Sequence, residues 1–439
     1  MDGLVLSHPE QVDRLRSVCP EMVDAAVLAG DPCFDRMLAA RKYRARYRRA
    51  LGVRSGQRLV VINSTWNPEG LFGDGQGDVL PSLLPRLPAE LPADAYRLAA
   101  VLHPNIWFGH GPGQIQAWLD RAVRGGLTLI DPVHHWRQAL LAADAVIGDF
   151  GAVSYYASAP GIPVLIAAPG SGKLDPRAPL AAFVEQTPRL DPYGPLEAQL
   201  TRLIAGHRPR SGSAEFITSA PGRSAALLRR HFYALLALPE PSPPALLEPL
   251  PLPPHEPPAR TAPLQVRTRI SGTDIVLTRS TAPPCDSYDA AGETHLAVHE
   301  DTRDPTVLEL ADVVTQYGPA DDVRLGGAAS WTEEALRLYP SCSAAAHVSE
   351  PDRCLVRTRE HGLFRLAPQP GADVDPAASA SALHAWLAAG RSVPASGIVL
   401  RVHAGGAVHP VAVTADPGRH PYSAGAGPRD SADAVPRWD

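Results

Sequence analysis

Three apolar runs in the first third of this 439-residue chain end in residues that can hold an anion. LVVIN runs into Ser64 and Thr65; RLAAVL runs into His103 and Pro104; AVIG runs into Asp149, Phe150, Gly151, Ala152, Val153 and Ser154. The Ser64, Thr65 and Ser154 hydroxyls can bond phosphate oxygens, and the His103 imidazole can contact a phosphate in transfer. Gly151 and Ala152 lack bulk, so an anion can approach the backbone N–H groups of a helix opening there, where the helix dipole favours negative charge. Together they read as a diphosphate seat. Asp149 would repel phosphates unless it orients a loop, caps the helix or binds a ribose hydroxyl. Each piece also has a plainer reading: Ser64 and Thr65 as a turn or helix cap, His103 as a bonded loop residue, Gly151-Ala152 as a tight turn. The order and spacing of the three runs carry the inference.

These residues need a parallel sheet to bring them to one edge. The sequence predicts strands at 25–30, 58–65, 97–104, 127–131, 145–149 and 163–168. Helical patterns lie at 32–51, 114–124, 136–143 and 154–159, with further helices at 197–205 and 223–238. Near-continuous apolar strands alternating with amphipathic helices indicate a Rossmann-like, doubly wound α/β domain over residues 1–238. Its ligands belong at the carboxyl ends of the strands.

A dense proline cluster, residues 239–263, reads as an extended, polyproline-like linker. Charge changes sign there, from net positive before it to net negative after it. Residues 264–414 pair short strands (265–270 with 274–279, 354–358 with 363–367, 397–402 with 408–413), with helices predicted at 306–317, 331–339 and 379–389. Hairpins plus segregated helices read as a smaller α+β domain without a recognisable motif. The stretch 415–439 has little to bury and reads as a disordered tail.

Composition narrows the function classes. A 45% hydrophobic, 20% charged chain is globular, and a net charge of −5 disfavours a nucleic-acid binder. No apolar run is long enough to span a bilayer, and no signal peptide is legible, so a cytoplasmic location is expected. The five scattered cysteines form neither a disulfide framework nor a zinc motif. His134-His135 has no ligating partner at metal spacing, so neither a metal nor another cofactor is expected. The basic run RKYRARYRR (41–49) reads as a solvated helix face, with a polyanion or anionic membrane surface as the alternative partner.

The run ALLAADAVIGDFGAVSYYASAPGIPVLI resembles a segment late in the nucleotide-binding, C-terminal half of GT-B enzymes. UDP-N-acetylglucosamine 2-epimerases have a similar acidic-Gly-Gly turn. The likeness to CDP-glycerol glycerophosphotransferases is closer: LVVINSTW is similar to that family's strand ending in Pro-Thr-Trp, and Leu102-His103-Pro104 to its His-Pro element. GDPCFDRM (30–37) looks like the inter-domain entry of such proteins. By this resemblance Ser64, Thr65, His103, Asp149, Gly151, Ala152 and Ser154 fall where the family holds the nucleotide diphosphate and the transferred glycerophosphate. The family's Ser-Ser is Gly151-Ala152 here, which removes two hydroxyl donors, and Tyr156 replaces a possible ribose-binding carboxylate.

The resemblance begins at what looks like the final strand and helix of the family's first half, LVLSHPEQVDRL. Three expectations follow: an upstream start, lost catalysis, or a partner subunit that supplies the missing half. The leading functional expectation is a glycosyl- or glycerophosphotransferase-like protein that binds a nucleotide-diphosphate-linked small molecule. The alternative is a non-catalytic nucleotide-binding or scaffolding protein whose acidic second segment recruits a partner.

Overall fold

A computed structural model describes residues 3–73, 79–170, 172–208, 215–255, 260–282, 292–350 and 353–416. The chain opens with β1 (Leu4–Leu6), α1 (Pro9–Val18) and β2 (Ala26–Leu28), whose strands pair in parallel as a separate two-stranded sheet. The segment predicted as a strand at 25–30 is thus β2, outside the main sheet. The pattern at 32–51 folds as α2 (Pro32–Ala40) and α3 (Arg44–Ala50), joined by a 3-10 turn.

The five-stranded sheet comprises β3 (Arg58–Ser64), β4 (Tyr96–Leu102), β5 (Leu127–Leu129), β6 (Ala145–Asp149) and β7 (Val164–Ala168). All pairings are parallel, and the spatial order is β5-β4-β3-β6-β7. That is the Rossmann-like half pattern, with its switch point between β3 and β6. The intervening helices are α4 (Leu80–Glu90), α5 (Pro104–His110), α6 (Pro112–Arg124), α7 (Trp136–Ala142) and α8 (Ala152–Ser158). Three more follow the sheet: α9 (Pro179–Gln186), α10 (Leu196–Gly206) and α11 (Ser224–Leu235).

Alternate strand residues feed two cores, as the period of a strand requires. Leu59, Val61 and Val146 pack with Met37, Tyr47 and Leu140 on one face. Val60, Ile62 and Ile147 pack with Leu83, Leu87 and Leu200 on the other. The sequence does not announce α4, because Pro81, Pro85 and Pro88 argue against a helix. Pro81 sits in the first turn, and the burial of Leu80, Leu83 and Leu87 on one face sustains the rest.

No helix or strand lies between α11 and residue 264 among the described residues. This proline-rich stretch is nonetheless fastened to the first sheet's helices. Leu250 is buried in that core, Tyr47 Oη donates to the Leu250 carbonyl, and Gln138 Nε2 donates to the Pro251 carbonyl. In the basic run, Arg44 and Arg48 are ion-paired with Asp144 at 2.7 and 2.6 Å. Arg41, Lys42, Arg46 and Arg49 remain exposed.

The second segment corrects the α+β expectation: it is a closed nine-stranded barrel. Its strands are β8 (Leu264–Ser271), β9 (Asp274–Ser280), β10 (Glu293–His299), β11 (Val313–Tyr317), β12 (Ala344–Glu350), β13 (Arg353–Thr358), β14 (Gly362–Pro368), β15 (Ile398–Ala404) and β16 (Ala407–Asp416). The three predicted hairpins are present as β8–β9, β13–β14 and β15–β16. Parallel pairs β10–β11, β11–β12 and β9–β15 and antiparallel pairs β8–β10, β12–β13 and β14–β16 complete the ring.

The outer helices are α12 (Pro305–Glu309) and α13 (Ala328–Leu338), which cover Val298, Val314 and Ala345. The last helix, α14 (Pro376–Ala388), is not segregated. It lies inside the barrel against seven of the strands, with Pro376 to Leu383 all buried. Its alanines and serines are what let a helix fit a lumen of this size.

The predicted helix 306–317 is correct only for α12. Val313, Val314 and Thr315 instead form β11, because β-branched residues flanked by two parallel strands pack best extended. The predicted tail loses its first two residues to β16, and 417–439 lies outside the described residues, as does Cys285.

The barrel docks on the amino ends of the parallel strands. Ala93 N–H donates to the Arg279 carbonyl, and Thr281 N–H to the Pro88 carbonyl. Gly405, at φ +61°, brings its backbone so close that a Cβ would lie 2.3 Å from the Asp94 carbonyl oxygen. Arg279, 2% exposed, reaches Asp94 and Asp375, each at 2.6 Å, and locks the two bodies together.

Candidate functional site

The loops after β3, β4 and β6 meet at the carboxyl edge, opposite the barrel. His103 N–H donates to the Ser64 carbonyl at 3.0 Å. A Cβ on Gly151 would lie 2.9 Å from Thr65 Cβ, so a side chain at 151 would collide with the β3 loop. Adjacent parallel strands place these turns side by side, as the switch-point geometry demands.

Asp149 is the fastening of this edge and faces inward. Its Oδ2 accepts the Thr65 and Leu71 N–H groups at 2.7 and 3.0 Å, and its Oδ1 accepts the Gly151 N–H at 2.9 Å. The Ser64 hydroxyl lies 3.2 Å away. Burial pushes this carboxyl above its ordinary range, against the pull of the N–H donors and the hydroxyl. The loop from Thr65 to Gly73 therefore wraps around a fully buried acid whose two oxygens are engaged by backbone N–H groups and the Ser64 hydroxyl.

Three of the candidate residues turn inward, each held by partners within the chain. Ser64 is buried, with its Oγ accepting the Phe72 N–H at 2.7 Å and lying 2.8 Å from the Thr65 carbonyl. Ser154 is fully buried and donates to Asn63 Oδ1 at 3.1 Å, tying α8 to β3. Asp149 is fully spent, as described. The Gly151 amide is also occupied, and α8 has only seven residues, which weakens the helix-dipole argument.

The groups left facing outward are fewer. Thr65 is half-buried, and its hydroxyl has no hydrogen-bond partner among the described residues; Ala152 is exposed at the helix start. His103 caps α5 through Nδ1, which accepts the Asn105 N–H at 3.0 Å. That bond assigns the neutral ring its proton on Nε2, as a donor. Burial lowers the His103 pKa, with the Asp149 charge opposing, so the ring is neutral at pH 7.

Sequence reasoning passed over Lys173, which follows β7 and pairs with Glu69 of the β3 loop at 2.8 Å. It also passed over Asn63, whose partner is 91 residues away. Nothing local signals either pairing. Tyr156 points away from the edge, its hydroxyl on Asp31 and its ring 5.7 Å from Trp136. His134 and His135 stand together on a turn beyond β5, ring centroids 6.3 Å apart.

No protein-family model matches the chain, and no curated protein is similar to it. Among solved structures, the wall teichoic acid polymerase TagF aligns at TM-score 0.37 and 15% identity, over 54% of this chain and 57% of that one. A UDP-GlcNAc 2-epimerase from Neisseria meningitidis, bound to UDP-GlcNAc, aligns at 0.32 and 14%, over 53% and 61%. An Anabaena HepE protein in complex with UDP and glucose aligns at 0.28 and 14%, over 54% and 64%. The chain spans less than two thirds of each. Likenesses this weak carry no argument about activity; the Rossmann-like description rests on strand order and pairing.

Proposed function

We propose that the chain binds a nucleoside-diphosphate-linked small molecule at the carboxyl edge of β3, β4 and β6, as the donor-binding half of a glycosyl- or glycerophosphotransferase-like protein. The observation that carries this reading is the inward turn of Asp149. With its charge buried and bonded to backbone N–H groups, the edge is left with donors: the Thr65 hydroxyl, His103 Nε2–H and the first amides of α8. Donors fixed before the ligand arrives suit an anion whose charge grows during transfer. Lys173 would exchange Glu69 for the leaving phosphate, and His103 would hold the transferred group.

The barrel sits at the opposite edge, so an acceptor and its base need a facing body. A partner subunit is the proposed source. The test is release of CMP from CDP-glycerol (glycerophosphate transfer) or of UDP from a UDP-sugar (glycosyl transfer) in the presence of a polyol acceptor. Release that is lost in His103→Ala with unchanged melting supports transfer; no release under any pairing of donor and acceptor refutes it.

A second reading, nucleotide binding without turnover, is favoured by one observation: among the described residues of the β3 and β6 loops the acids Asp149 and Glu69 are both engaged, Asp149 by amides and Glu69 by Lys173. It predicts stabilisation without product. At a ligand concentration 100 times Kd the gain is about 2.7 kcal/mol, visible as a melting shift.

A further inference from the structure

Trp66 follows Thr65 at the candidate edge and is 56% exposed, whereas Trp331 and Trp386 in the same chain are 2% and 6% exposed. Leaving an indole in water forfeits the largest apolar burial a side chain can offer. Among the described residues the other exposed indole is Trp118, flanked by His110 and Phe72 at 5.0 and 6.1 Å. Among the same residues the aromatic neighbour of Trp66 is the His103 ring, 6.3 Å away and tilted by 38°. That ring neither stacks on the indole nor closes over it, so a face of Trp66 stays open.

The location ties this open face to the anion donors. Trp66 is one residue past Thr65, whose Cβ abuts Gly151, and its ring neighbours that of His103, so it stands among the same three loops. A flat ring and an anion joined by a sugar are the two ends of a nucleotide.

We infer that Trp66 is the stacking platform for the ligand's base, an inference that rests on the nucleotide-binding reading above. Every base presents a π-face, so stacking of this kind discriminates little between bases. The subsite is accordingly base-tolerant, and the diphosphate provides the rest of the recognition.

The test measures Kd for UDP, CDP, ADP and inorganic pyrophosphate with the wild-type chain, Trp66→Ala and Trp66→Phe. The expected result is three nucleotides within about threefold of one another and about tenfold tighter than pyrophosphate. Trp66→Ala should bring all three to the pyrophosphate level, with pyrophosphate binding unchanged and Trp66→Phe close to wild type. An exposed side chain costs little to replace, so matching melting curves verify the fold. Nucleotide affinities unchanged in Trp66→Ala would overturn the inference and leave the nucleotide-binding reading standing. Absence of binding by nucleotides and pyrophosphate alike would overturn both.

Discussion

The two sheets of this molecule put buried polar groups to different uses. At the carboxyl edge of the parallel sheet, a single acid, Asp149, satisfies three amides from two loops and makes one surface of them. In the barrel, His295 Nε2, both ring nitrogens of His347, and the Ser379 and Ser381 hydroxyls are buried with no partner among the described residues. Arg279, a charged group with full partners, bridges Asp94 of the other body and Asp375, the N-cap of the lumen helix α14. Polar burial thus ties loops into a surface in the first region, where Asn63 Nδ2 and Arg97 Nη2 also lack partners among the described residues, whereas in the second it serves docking and leaves His295, Ser379 and Ser381 unsatisfied at the lumen helix and His347 beneath α13. The difference teaches where to look for a ligand surface: at the edge where a buried acid ties the loops together and the Thr65 hydroxyl and His103 Nε2–H are left without partners among the described residues.

The comparison is broken most severely by Arg279→Met. It strands Asp94 and Asp375 as uncompensated buried charges and should cost about 3–5 kcal/mol in chemical denaturation, with separation of the two bodies. A loss below about 1 kcal/mol would show that the ion pairs do not hold the interface. Asp149→Asn comes next. An amide nitrogen would face an N–H donor, leaving at least one buried amide unpaired, at about 2–3 kcal/mol. Wild-type stability in this variant would mean that the β3 loop is held by something else.

The barrel's neutral histidines predict a pH slope. Burial, with the nearby His384 and Arg279 adding to it, pushes His295 down to about 3, against about 6.5 in the unfolded chain. Between those values the unfolded state holds the extra proton, so stability is complete above about pH 6.5 and falls as pH drops towards 3. The slope is at most about 1.4 kcal/mol per pH unit, or about 2 kcal/mol by pH 5. Urea melts across pH 5–7 should flatten in His295→Leu; an unaltered slope would assign the titration elsewhere. The smallest stability effect is that of His103→Ala, which removes one capping bond at an accessible helix start and should cost less than about 1 kcal/mol.

How much was legible follows from the same contrast. Strands β3, β4, β6 and β7 are short apolar runs between helical patterns, and a parallel sheet must expose their following loops along one edge. The barrel depends on partners far apart in sequence. β12 begins with three alanines, poor strand formers in isolation, yet their small side chains fit between α13 outside and α14 inside. Nor does a sequence reveal which way a polar side chain turns. Ser64, Asp149 and Ser154 have the right types at the right spacing for a diphosphate, but each is claimed by a partner some 80–90 residues distant in the chain. Thr65, His103 and Ala152 keep their outward groups because nothing inside requires them.

A crystal structure of the chain soaked with CDP or UDP tests the central claim most directly. The account predicts diphosphate oxygens within about 3 Å of the Ala152 amide and the Thr65 hydroxyl, with Asp149 still buried beneath them. A nucleotide seated at the barrel or along the amino edge, with the carboxyl edge empty at saturating ligand, would contradict it.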